Sequence, residues 1–209
     1  MSDLPPLPDP VAHRRHWLEY AATGAALVLS AVSLWVAIGT MDANTKMVQA
    51  ASWPFLQAAT SDSAPDGSRI LIFDMVNAGV GPALVETFEV KLDGRPLRTA
   101  SEMMQRCCGY DPRKPHPVAI HQPGIGSWTE GNLAGTVIRA GESRRLFAYP
   151  MTDANARAWT ILRDIVAARR LLARACYCSV FGECWQGSSA GLHPTRVDRC
   201  VAPAVPYTE

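Results

Sequence analysis

The sequence predicts a mainly β protein: an antiparallel, β-sandwich-like extracytoplasmic domain with one or two helices, preceded by one transmembrane helix. Three observations predict it. Tyr20 to Met41 is a run of 22 residues without Asp, Glu, Lys or Arg. At about 1.5 Å per residue such a helix crosses the roughly 30 Å hydrocarbon core of a bilayer. Downstream, apolar and polar residues alternate with period two between turns rich in Gly and Pro. All six cysteines lie beyond the apolar run, as suits a domain exported to an oxidising compartment.

Three segments follow: a Pro-rich tail (1–16), a transmembrane helix with its stalk (17–51), and an extracytoplasmic domain (52–209). In the tail, Pro5, Pro6, Pro8 and Pro10 favour an extended conformation. Arg14 and Arg15 precede the apolar run, whereas its far flank offers Asp42 and Lys46. By the positive-inside rule the tail is cytoplasmic and the domain is exported. The run is too long for a signal-peptide core and lacks a small-x-small site at its end, which predicts an uncleaved anchor. Within it Ala22, Ala26 and Ser30 recur every four residues, a spacing that lets two helices pack closely and makes a second copy one candidate partner. The helix should continue through Ala51 until Pro54 disfavours helix at Trp53. A net charge of +1, from 20 basic and 19 acidic residues, gives no footprint for nucleic acid.

Ser52-Trp53-Pro54-Phe55-Leu56 opens a first strand, with Trp53 expected to seal one end of the domain in preference to resting at the membrane interface. Arg69 to Val76 reads as a strand with Leu71, Phe73 and Met75 on one face. The stretch Asn77-Ala78-Gly79-Val80-Gly81-Pro82-Ala83 reads as a turn whose glycines permit positive φ. Gly79-x-Gly81-x-x-Leu84 fails as a nucleotide fingerprint, because alternation rather than a helix follows. In that alternation Leu84, Phe88, Val90 and Leu92 take one face, and Val85, Thr87, Glu89 and Lys91 the other. Asp93-Gly94 is a hairpin turn, and Pro96 marks an edge strand.

Ser52-Trp53-Pro54-x-Leu56, then Asn77-x-Gly79-x-Gly81-Pro82-Ala83, then Asp93-Gly94 together resemble a group of bacterial single-pass membrane proteins of unknown activity. The resemblance spans about residues 20–97 and the Cys-rich region. It implies a bacterial inner-membrane location, a cytoplasmic N-terminus and a β-rich periplasmic domain. No activity comes with it.

Thr99 to Arg106 suits a short helix, and Cys107 to Asn132 is irregular, with Pro112, Pro115, Pro117 and Pro123. His116 and His121 lie in it without a third ligand nearby, so no metal is predicted. Leu133 to Arg139 and Arg144 to Tyr149 suggest a hairpin. Asp153 to Ala168 has helical period, with Trp159, Leu162, Ile165 and Val166 on one face, and Leu171 to Val180 returns to the sheet.

The cysteines are Cys107, Cys108, Cys176, Cys178, Cys184 and Cys200. On a strand Cys176 and Cys178 share a face, so each more easily bridges a neighbouring segment than the other. We expect Cys107 or Cys108 to staple the long loop to this strand, and Cys184 and Cys200 to tie down the C-terminal tail. Six cysteines allow fifteen pairings, and spacing does not choose among them. The alternative is a redox or thiolate metal site built from the Cys-x-Cys and Cys-Cys pairs, although neither has the Cys-x-x-Cys spacing at a helix start. No catalytic motif is present: no Gly-x-Ser-x-Gly, no His-Glu-x-x-His and no Walker loop. The expectation is a membrane-anchored interaction, scaffold or sensing module without catalysis or cofactor, the alternative being a membrane-tethered thiol redox or metal-handling protein.

Overall fold

Proline lacks the N–H that the first turn of a helix leaves unused, and its φ is already helical. The N-terminal helix α1 accordingly begins at Pro10 and runs to Ala51, so the extended tail expected through residue 16 is not found from Pro10 onward. A computed structural model describes residues 10–114 and 122–208. From Trp17 to Ala51, α1 is long and apolar enough to cross a membrane by length and composition, with a mean hydropathy of 2.0 over its most apolar 18 residues. Several of its hydroxyls are satisfied internally. Thr23, Ser30 and Thr45 each donate to the carbonyl four residues back at 2.8–2.9 Å.

Residues 50–209 form a second compact unit. The chain there runs β1 (Leu56–Ser63), β2 (Arg69–Asn77), β3 (Ala83–Leu92), β4 (Arg95–Leu97), α2 (Ala100–Cys108), β5 (Thr129–Glu130) and β6 (Val137–Ile138). It continues as β7 (Ser143–Pro150), α3 (Ala156–Ala167), β8 (Leu171–Cys178), β9 (Cys184–Ser188) and β10 (Thr195–Val197). Two antiparallel sheets result: a four-stranded one ordered β1-β2-β7-β5, and a six-stranded one ordered β10-β9-β8-β3-β4 with β6 also on β3. With three helices among the described residues, the fold is mixed α and β without a closed barrel.

Several expectations are corrected by the backbone. The β3–β8 register shifts between Val85 and Thr87, so the extra residue, Glu86, stands exposed and the alternation changes phase. Ala83 and Val85 are therefore buried with Phe88, Val90 and Leu92, whereas Leu84 is half-buried. Residues 133–149 do not make a hairpin. β6 pairs with β3 in one sheet and β7 with β2 in the other, so the turn at Ala140-Gly141-Glu142 carries the chain between sheets. It is held there because Gly141 N–H donates to Asn77 C=O at 2.9 Å and Asn77 N–H to Glu142 C=O at 3.0 Å. The Asp93-Gly94 turn does form as predicted: both residues have positive φ (52° and 75°), the backbone of a two-residue type I′ hairpin. Pro96 does lie in the edge strand β4.

Both helices that follow have local causes. Thr99 caps α2, its hydroxyl accepting from Glu102 N–H at 3.1 Å, and Gly109 ends it with φ 82°. In α3 the stripe Ala158, Trp159, Leu162 and Ile165 is buried, and Trp159 Nε1 donates to Tyr149 C=O at 3.1 Å. Side chains of both sheets, α2 and α3 meet in one core, with Tyr149, Tyr177, Leu133, Ile138 and Trp159 at its centre.

Candidate functional site

Asn77 explains the resemblance motif. It is completely buried, and its amide is saturated: Oδ1 accepts from Phe55 N–H (3.1 Å) and Gly79 N–H (3.0 Å), while Nδ2 donates to Gly81 C=O (2.8 Å) and Ile138 C=O (3.0 Å). The incoming segment is fastened further where Trp53 C=O accepts from Val80 and Gly81 N–H and Phe55 C=O from Ala78 N–H. Neither Gly79 nor Gly81 has positive φ, contrary to expectation; the reason for glycine is close passage. A Cβ at Gly79 would lie 2.4 Å from Phe55 N, and one at Gly81 2.0 Å from Ser52 C=O oxygen. Trp53 does not seal the domain, being 42% exposed; Pro54 is buried in its place. Trp53, Pro54, Asn77, Gly79, Gly81 and Pro82 thus make one structural junction that sets where β1 starts.

That junction positions a cleft. At the start of β1, Leu56 N–H donates to the buried Tyr177 hydroxyl of β8 at 3.2 Å. The two sheets are pinned together there. Further along β1, at Ala58–Thr60, they stand apart and leave a cleft of about 290 Å³. Its walls are mostly apolar, including Phe73, Phe88, Val90, Leu146, Phe147 and Leu171. Two charged residues line it, Asp74 and Arg169. Asp74 is paired with Arg145 at 3.2 Å. Arg169 follows α3 with φ +54°, a position that ordinarily takes Gly or Asn. The cleft and both charges escaped sequence reasoning. The available signal was the end of a helical pattern at Ala168-Arg169-Arg170 without a glycine.

The cysteines come together otherwise than expected. Cys107 pairs with its neighbour Cys108, Cys176 with Cys200, and Cys178 with Cys184. Cys107 and Cys108 therefore do not staple the loop to β8, because each sulfur is taken up by the adjacent residue at the end of α2. Cys200 does tie the tail, to Cys176, while Cys184 closes the β8–β9 turn. Cys176 and Cys178 each bridge a neighbouring segment, as strand geometry requires. The Sγ atoms of Cys178, Cys184 and Cys200 lie within 4.8 Å of one another, and Cys178 Sγ packs 3.9 Å from Cys200 Sγ. The vicinal pair sits at the negative pole of α2, with Cys108 Sγ 3.7 Å from Ala158 C=O, surroundings that disfavour a thiolate. Ala22, Ala26 and Ser30 lie exposed on α1, with the Ser30 hydroxyl turned onto Ala26 C=O. His116 and His121 lie outside the described residues.

No family model, characterised protein or solved structure matches this chain.

Proposed function

We propose that this protein is a membrane-anchored binding module. In this reading α1 is a single-pass anchor, the N-terminus is cytoplasmic, and the two-sheet domain is a disulfide-stapled, sandwich-like unit in the periplasm of a bacterium. It engages a ligand or partner without transforming it. One observation carries the reading: the cleft between the sheets is walled by apolar side chains, and its one carboxylate, Asp74, is already paired with Arg145. Such a wall excludes water and holds an apolar body, but sets no nucleophile beside a base. Export is supported by cysteines that all find disulfide geometry, and anchoring by the exposed apolar side chains of α1, such as Leu27, Val28, Leu29 and Trp35, which a bilayer would cover. The resemblance to bacterial single-pass proteins supports the same arrangement.

The test is a thiol count. Alkylation in intact cells after an acid quench, without reductant, followed by mass measurement of the whole chain, should find all six cysteines blocked. Six free thiols would refute the exported orientation. A second reading, a thiol redox or metal-handling protein, is favoured by the cluster of Cys178, Cys184 and Cys200 sulfurs. Two free thiols beside four paired ones would support it over the first.

A further inference from the structure

We propose that the cleft between the sheets binds a single-chain anionic amphiphile, its alkyl chain lying between Phe73, Phe88, Phe147 and Leu171 and its anionic head on Arg169. This rests on the binding-module reading and names the ligand class of that site. Four observations lead to it. First, the cleft has a buried and an exposed side: Phe88, Val90 and Phe147 are buried, whereas Ala58–Thr60 and Arg169 are exposed. A cleft lined in this way can take an alkyl chain against its buried side and leave the head among its exposed residues.

Second, the arginines around that exposed side are not equivalent. Arg145 pairs with Asp74, Arg163 with Asp164, and Arg170 doubly with Asp93 at 2.6 and 2.7 Å. Arg169 is an exposed residue that lines the cleft, and its guanidinium has no ion pair or hydrogen bond among the described residues. A free guanidinium at the mouth of an apolar cavity complements a carboxylate or phosphate, which it can hold through two parallel hydrogen bonds.

Third, Arg169 occupies a backbone conformation that does not suit it. Its φ is +54°, fixed by its own N–H donating to Val166 C=O at 2.9 Å and by Arg170 N–H donating to Ile165 C=O at 3.0 Å. Glycine is the residue that adopts this conformation without penalty. The chain carries a long cation there instead, so the side chain has a use that the fold does not supply.

Fourth, size narrows the class. The volume of about 290 Å³ lies just below the usual range of ligand cavities, roughly 300–1,000 Å³. It suits one alkyl chain of moderate length and leaves no space for a second. The shared head chemistry is a compact anion, so an alkyl carboxylate and an alkyl phosphate are both accommodated.

The experiment uses the full chain in lipid nanodiscs and alkyl probes bearing a diazirine at the chain end, with crosslinked peptides mapped by mass spectrometry. Hexanoate, octanoate and decanoate probes should label peptides of β2, β7 and β8 saturably. Half-saturation should tighten about fourfold per added methylene until the cleft is full. A matching alkyl phosphate should compete, and a matching alkyl alcohol should be about tenfold weaker or more, for loss of the charged hydrogen bonds. Arg169→Gly should raise the melting temperature by relieving the backbone while weakening carboxylate binding about tenfold or more, and Arg169→Lys should restore part of it. Label confined to α1 would mean partition into lipid and would overturn the proposal. So would equal affinity for acid and alcohol, or unchanged carboxylate binding in a folded Arg169→Gly protein. The thiol count is independent of this result: cleft labelling can fail with all six cysteines paired, and the export reading can fail with labelling intact.

Discussion

At the scale of single residues, Asn77 carries more of the fold than any apolar side chain near it. Its amide serves four backbone groups from three separated segments, and no other residue type presents two acceptor directions and two donors from one short side chain. Asn77→Ala would leave those buried groups without partners and should cost about 3 kcal/mol or more, read as a fall in denaturation midpoint. Asn77→Asp keeps the acceptor but loses the donors, and should be nearly as damaging. Glycines separate by mechanism. Gly81→Ala drives a Cβ into the Ser52 backbone at 2.0 Å, so the junction must open. Gly67→Ala meets nothing within 4 Å and bears only the conformational cost of φ +83°, about 1–2 kcal/mol. Thermal melts of the two variants should differ widely although both replace a loop glycine.

At the scale of elements, the three disulfides are unequal. The Cys176–Cys200 bond joins residues 24 apart and Cys178–Cys184 residues 6 apart, whereas Cys107–Cys108 joins neighbours. A cross-link stabilises chiefly by restricting the unfolded chain, more so for a longer loop. Replacing both cysteines of the first bond by serine should cost about 3 kcal/mol, and of the second about 2 kcal/mol. The vicinal pair closes no loop, so a Cys107→Ser, Cys108→Ser protein should unfold at nearly the wild-type denaturant concentration. A large loss there would show that the vicinal ring holds the end of α2 against Ala158.

At the scale of the whole molecule, the buried tyrosines tie the core to pH. Burial pushes the Tyr149 phenol up from 10.0 to about 12, only partly opposed by hydrogen bonding with Asn155, and burial raises Tyr177 in the same direction. In the unfolded chain these phenols lose their protons first, so the native state holds more protons above pH 10. Their stabilisation is complete below about pH 10 and is lost as pH rises further, for Tyr149 through about 12, at up to about 1.4 kcal/mol per pH unit for each group. Denaturation midpoints between pH 9 and 11.5 should therefore fall, and the slope should be shallower in Tyr149→Phe, which also forfeits the phenol's hydrogen bond to Ile125 C=O.

How much of this was legible follows from the range of the interactions. Local rules read α1, the end of its stalk before Pro54, the Asp93-Gly94 turn, the edge at Pro96, the helix over Trp159, Leu162 and Ile165, and the two-sheet antiparallel character. Periodicity, caps and turn residues act over a few neighbours and are written in adjacent letters. Tertiary structure decided the rest. The Glu86 bulge changes the phase of β3 because β8 dictates its register, and β6 and β7 part to different sheets because Asn77, some sixty residues earlier, captures the turn between them. The glycines of the junction are required by a segment more than twenty residues upstream, and the cysteines paired by proximity in folded space rather than by spacing. The cleft belongs wholly to this second class: it exists because residues of two sheets, joined at Leu56 and Tyr177, line one gap together with Arg169, a relation between surfaces that no single stretch of sequence contains.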